Sequence, residues 1–213
     1  MIARTPRQMD YLRMLRSKNP PVVIAHGPAG CGKTLLATVA GIEAFERGNV
    51  SRLVFSRPAV CSDEQHGFLP GKIEDKMAPW VRPIVDSMRD RWTDAHIRRL
   101  FADGRIEFAP LAFMRGRTFK NSWVICDEAQ NCTANQVLMV LTRIGEGSKM
   151  ILTGDLDQRD KSIQSGLSDL VLRVSDSEDI LGTDIGLVSF DSRDVQRHPV
   201  IPKILDLYGQ PLL

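Results

Sequence analysis

No stretch of this 213-residue sequence is apolar for longer than a strand needs, so no membrane-spanning helix is expected. The N-terminal MIARTPRQMD likewise has no apolar core of the kind a secretory signal needs. Cysteine is sparse. The four present, Cys31, Cys61, Cys126 and Cys132, form neither a CxxC pair nor a metal-like spacing. That argues against a disulfide framework and a zinc site, and for free thiols in a reducing, cytoplasmic compartment. An excess of one charge is also missing: +2 is the balance of 28 basic and 26 acidic side chains, so any nucleic-acid surface must be local. Arginines outnumber lysines twenty to eight, which suits bidentate phosphate contacts or codon bias equally. Internal repeats and low-complexity segments are absent. What remains is an ordinary globular composition, 43% apolar and 25% charged, in a chain long enough for a real core. We expect one domain over 1–213 with a helical insertion at about 60–105.

Against these absences stands one dense motif. Residues 22–25 are a short apolar run suited to a buried strand, and Gly27-Pro28-Ala29-Gly30-Cys31-Gly32-Lys33-Thr34 follows with P-loop spacing. The apolar periodicity of Leu35, Leu36, Val39 and Ala40 then predicts a helix. Three glycines let the backbone turn tightly and aim N–H groups at phosphate, where the helix dipole adds to them. Lys33 would reach the β- and γ-phosphates and the Thr34 hydroxyl would bind Mg²⁺. A Gly-rich turn without ligand is the bland alternative. The full motif set between strand and helix favours the nucleotide site.

Upstream, residues 5–17 read as an amphipathic helix carrying Met9, Leu12 and Leu15, opened by Thr-Pro. Gln8 on it is either a solvated helix residue or a carboxamide able to pair with the two-sided edge of adenine. Residues 52–55 predict a second strand, which delivers Arg57 toward an anion or into a proline-broken loop. From 60 to 105 the pattern loosens. A helix over 77–88, interrupted by Pro79 and Pro83, and another over 93–102 are expected as a lobe over the sheet's edge. Its Lys72, Lys76, Arg82, Arg89, Arg91, Arg98 and Arg99 could track a polyphosphate backbone or simply be solvated.

The second strong signal is Trp123-Val-Ile-Cys126-Asp127-Glu128, an apolar strand that ends in paired carboxylates after a strand at 106–109. Beside a P-loop, Asp127 would support Mg²⁺ and Glu128 would orient or deprotonate the attacking water. A helix at 133–143, capped near Asn131 and Thr133, leads to a strand at 149–153. That strand ends near Gln158, whose amide could sense a γ-phosphate. A helix at 167–174, a strand at 186–190 and a C-terminal helix at 202–208 complete the expected elements.

Taken together, GPAGCGKT, SRPAV with GFLPGKIEDKMAPWVRPI, MRGRT, WVICDEAQN, LTRIGEGSKMILTGDLDQRD and RDVQRHP resemble the PhoH family of P-loop ATPases, over residues 5–208. The DEAQN block and the TRIGEGSKMILTGD run are the most specific parts. That family resembles the first motor domain of superfamily-one helicases. The resemblance implies an α/β fold with a doubly wound, mainly parallel sheet, hydrolysis of ATP with Mg²⁺, single-stranded RNA or DNA as partner, and a homo-oligomeric ring, a hexamer by likeness. By motif match Gln8 becomes an adenine contact, Lys33 and Thr34 the phosphate and Mg²⁺ residues, Asp127 and Glu128 the hydrolytic pair, and Gln158 the γ-phosphate sensor. Arg197, in RDVQRHP, matches the segment best suited to an arginine finger. Two departures from the family are expected to matter, no second motor domain and no appended PIN nuclease or KH domain in this sequence, so a finger would come from within this domain or, the favoured reading, from a neighbouring subunit of the ring. Three classes follow. They are an ATPase acting on a single strand, a small-molecule kinase, and a nucleotide-gated ring-assembly subunit.

Overall fold

Each apolar run read as a strand forms one, and the six lie parallel in a single sheet ordered β3-β2-β4-β5-β1-β6. They are β1 (Val22–His26), β2 (Arg52–Arg57), β3 (Ile106–Pro110), β4 (Ser122–Cys126), β5 (Lys149–Gly154) and β6 (Ile185–Ser189). These come from a computed structural model that describes residues 3–58, 73–158, 165–177, 179, 182–196 and 200. Cys61 and the expected helix at 202–208 lie outside the described residues.

Because side chains alternate along a strand, each strand feeds two cores. Val23, Ala25, Leu53, Phe55, Trp123, Ile125 and Ile151 face a layer built from α1 (Pro6–Arg16), α2 (Lys33–Glu46), α3 (Ile73–Arg89) and α4 (Asp94–Ala102). Val22, Ile24, Val54, Val124, Met150 and Leu152 face α5 (Ala134–Leu141) and α6 (Gly166–Ser175). The doubly wound parallel α/β sheet expected from the sequence is therefore present. No helix among the described residues is long and apolar enough to cross a membrane.

One expectation is corrected. The helix between β2 and β3 runs unbroken from Ile73 to Arg89 through Pro79 and Pro83. Pro83 is exposed, whereas Ile84 and Met88 are buried in the core beside α2. Their burial is worth roughly 1.5–3 kcal/mol apiece, which offsets much of the cost of about 3 kcal/mol that each helix-interior proline carries. The Ser87 hydroxyl also donates to the Pro83 carbonyl at 3.0 Å.

At the sheet's opposite end from the candidate site, Lys149 opens β5 and its Nζ donates to the carbonyls of Met14 and Ser17, both at 2.7 Å. Those carbonyls close α1, so the ammonium satisfies groups a helix end leaves open. Burial pushes the Lys149 pKa down to about 8. Between that value and the ordinary lysine value of about 10.4, the unfolded chain holds a proton the folded chain has lost, so stability rises with pH across this window. Denaturant unfolding of the wild type and Lys149→Met, compared from pH 7 to 10.5, is expected to show the difference moving in the wild type's favour above pH 8. A flat difference would mean that the two carbonyls keep the ammonium charged.

Candidate functional site

The strand order places β5 between β1 and β4, so the loops leaving these three strands meet at one edge of the sheet. In a parallel sheet this C-terminal edge is where ligand crevices form. The first loop runs from the end of β1 to Lys33, the first residue of α2. Gly27 has φ +137°, and a Cβ there would lie 2.4 Å from the Phe190 carbonyl oxygen. Its N–H donates to the Gly154 carbonyl at 3.2 Å, which ties the loop to the end of β5. Lys33 turns back over the loop, its Nζ donating to the carbonyls of Gly27 at 2.6 Å and Pro28 at 2.8 Å. Burial pushes the Lys33 pKa down, against nearby carboxylates that raise it. A half-buried ammonium held by neutral carbonyls at a helix N-terminus makes this loop a place for an anion.

The second loop carries the carboxylates. The Asp127 N–H donates to the Ser56 carbonyl at 2.9 Å, so β2 and β4 fix its position together. Its Oδ1 accepts from the Thr34 hydroxyl at 2.7 Å and from the Thr153 hydroxyl at 2.6 Å. The hydroxyl of Thr34 spends its proton on Asp127 and keeps oxygen lone pairs for another ligand. One hydroxyl and one carboxylate are the sparse oxygen set that Mg²⁺ takes when phosphate oxygens and water complete its shell. Among the described residues no cluster of three or more His, Cys, Asp or Glu is placed to hold a metal. Glu128 sits in the left-handed region at φ 54°, where a non-glycine residue is strained by about 1–3 kcal/mol. Such strain is found where a side chain must be aimed.

The third group surrounds the loop from the α1 side. Gln8 is 5% exposed, which overturns the solvated alternative. Its Nε2 donates to the Cys31 carbonyl at 3.1 Å and its Oε1 accepts from the Arg4 N–H at 2.7 Å. One N–H and one lone pair of the carboxamide are left over. The segment after β6 lies across the same loop. Phe190 N–H donates to the His26 carbonyl at 2.8 Å, the Cys31 thiol to the Asp191 carbonyl at 3.7 Å, and Gln196 N–H to the Gly30 carbonyl at 3.0 Å. Arg7 pairs with Asp191 and Asp194 and fastens that segment to α1. Arg193 first, and then Arg7, hold the Asp191 carboxyl well below the usual carboxylate range. Burial and the Lys33 charge lower the pKa of His26, whose Nε2 is 2.7 Å from the Ser189 hydroxyl.

Lys33, Thr34, Asp127 and Glu128 are thus brought to one edge, with Gln8 bonded to the same loop. Arg57 follows Ser56 at the end of β2, half-buried. Gln158 is exposed on the turn after β5, where the Asp157 N–H donates to Asp155 Oδ1 at 3.0 Å. Arg197 lies outside the described residues. Of the basic side chains expected to track a backbone, three are paired locally: Arg89 with Asp86 and Asp94, Arg91 with Glu43 and Glu46, and Arg99 with Asp103. Three residues had no assigned role in the sequence: Thr153, Gln130 and Asp155. The one signal for Thr153 is a hydroxyl at the polar end of an otherwise apolar strand.

The sequence pattern of the family described as PhoH-like protein matches residues 1–209. A PhoH-like protein of Bacillus subtilis (strain 168) is 42% identical over 210 residues, covering 97% of this chain and 63% of that protein. Protein PhoH of Escherichia coli (strain K12) is 39% identical over 213 residues, covering 98% of this chain and 58% of that one. The chain therefore spans about three fifths of the length of these relatives. Among solved structures, the Pif1 helicase from Candida albicans aligns over 98% of this chain and 44% of its own, with a TM-score of 0.47 and 14% identity.

Proposed function

The chain belongs to the PhoH-like protein family, and from that premise we propose that it binds ATP and hydrolyses it to ADP and phosphate. The observation that carries this is the convergence of Lys33, Thr34 and Asp127 through the Thr34–Asp127 hydrogen bond, with Glu128 next in the chain. The phosphates lie along the N–H groups of residues 29–34, and Lys33 exchanges the carbonyls of Gly27 and Pro28 for β- and γ-phosphate oxygens. Thr34 and Asp127 would hold Mg²⁺, which when bound neutralises charge on those oxygens. Glu128 takes the proton of a water that attacks the γ-phosphorus, and the bond to the β–γ bridging oxygen breaks as ADP leaves. Gln8 reads the adenine edge, Arg57 and Gln158 contact the phosphate side, and Arg197 is the arginine finger. The fastening of segment 190–196 to the loop supports a role for that segment at the nucleotide.

We further propose that a single strand of RNA or DNA stimulates this hydrolysis and that the working form is a ring of identical subunits, both on the motif resemblance to superfamily-one motor domains. Steady-state phosphate release from ATP, with and without mixed-sequence single-stranded RNA and DNA, tests this. Stimulation is expected for one strand type at least. Hydrolysis indifferent to both strands would remove the nucleic-acid role, and no hydrolysis with any addition would remove the ATPase itself. In the same assay, mixing Arg197→Ala with Lys33→Ala protein is expected to restore turnover if the finger serves a neighbouring subunit.

A further inference from the structure

Gln130 is 1% exposed, in the 3-10 turn Ala129–Asn131 that follows Glu128. Both ends of its carboxamide are used. Nε2 donates to Glu128 Oε2 at 2.6 Å, and Oε1 accepts from the Asp155 N–H at 3.1 Å. Only one orientation of the amide satisfies both partners, because a carboxylate needs a donor and an N–H needs an acceptor. Asp155 begins the turn that carries Gln158, and its own carboxylate accepts from the Asp157 N–H within that turn. The residue before it, Gly154, has no room for a side chain: a Cβ there would lie 2.7 Å from Gln130 Oε1 and 2.5 Å from Leu167 Cδ2. The Gly154 carbonyl meanwhile accepts from Gly27 N–H of the phosphate loop. One buried amide thus joins the loops leaving β4 and β5, at the point where the latter also meets the loop leaving β1.

We propose that Gln130 is a positioning residue that holds the Glu128 carboxylate by one oxygen, leaves the other for the attacking water, and links it to the turn at 154–158. This rests on Glu128 acting as the base. Asp155 N–H, the Gln130 amide and the Glu128 carboxylate form one chain, so the base is aligned to the turn that carries Gln158.

Two variants test this in the full chain with ATP and Mg²⁺. Gln130→Met keeps the length and neutrality but can neither donate nor accept. It is expected to lower kcat by about 10²-fold, the cost of a misplaced reacting group, with the calorimetric Kd for ATP within a few-fold of wild type. Gln130→Glu still accepts from Asp155 N–H but sets a second carboxylate against Glu128. It removes the donor to Glu128 and keeps the acceptor for Asp155 N–H, so kcat is expected to fall by about 10²-fold again while the Kd for ATP stays within a few-fold of wild type. A purely structural residue would lower stability and nucleotide affinity together rather than kcat alone. If Glu128→Gln keeps wild-type turnover, Glu128 is not the base and the Gln130 role falls with it. If Glu128→Gln is inactive while Gln130→Met or Gln130→Glu turns over normally, the Gln130 role alone is overturned. Should Gln130→Met fail to fold, kcat set against Kd in Gln130→Glu decides.

Discussion

Glu128→Gln is expected to lower ATP turnover by about 10²–10⁴-fold, the range that a positioned base contributes, while nucleotide affinity stays near wild type. The substitution is close to isosteric. The new amide oxygen can accept from Gln130 Nε2 as Glu128 Oε2 does now, so the 3-10 turn and the bond to Asp155 are kept. The backbone strain at φ 54° is unchanged, since glutamine and glutamate meet the same steric limits there. What is lost is the ability to accept a proton. Lys33, Thr34 and Asp127, which carry the binding contacts, are not touched. Single-turnover phosphate release and a nucleotide titration on the same preparation check both halves of the expectation. Turnover within ten-fold of wild type would place the base elsewhere. Loss of affinity in step with turnover would make Glu128 a structural residue of the loop.

Gly27→Ala is expected to cost on the order of 4 kcal/mol. Two effects add. At φ +137° any L side chain is strained, and the added Cβ would meet the Phe190 carbonyl oxygen at 2.4 Å, a backbone atom that cannot swing aside. Phe190 is itself held by the bond from its N–H to the His26 carbonyl, so relief must part the phosphate loop from the segment after β6. At this size each kcal/mol shifts Tm by about 2–4 °C, so a fall of about 10 °C is expected in a calorimetric scan, with weakened nucleotide binding in the surviving fold. Gly48→Ala is the control. It also has positive φ, at +73°, but nothing lies within 4 Å of its would-be Cβ. Its cost should stay near 1 kcal/mol, and equal losses at both sites would refute the close-approach argument.

Local chemistry made most of the fold legible. Alternation and short apolar runs located all six strands, and the P-loop spacing with the apolar run after it located α2, because these signals depend on neighbours in sequence. The prolines of α3 misled for the opposite reason. Their local cost is real, but Ile84 and Met88 offset much of it by burial against elements distant in the chain. Gln8 shows the same limit. Its place on a polar helix face looked solvated until the fold laid the Cys31 carbonyl and the segment after β6 against α1.

The sequence by itself determined the chemistry available at the site: a phosphate-cradling loop, a lysine, a hydroxyl and two carboxylates, each at the end of a strand or the start of a helix. Spacing within single motifs is enough for that, since the motifs are local. Tertiary structure alone decided that β5 lies between β1 and β4, and hence that Thr153 bonds Asp127 and that Gln130 joins Glu128 to Asp155. Strand order is set by which hydrophobic faces pack best over the whole sheet, and no local pattern encodes which loops will be neighbours.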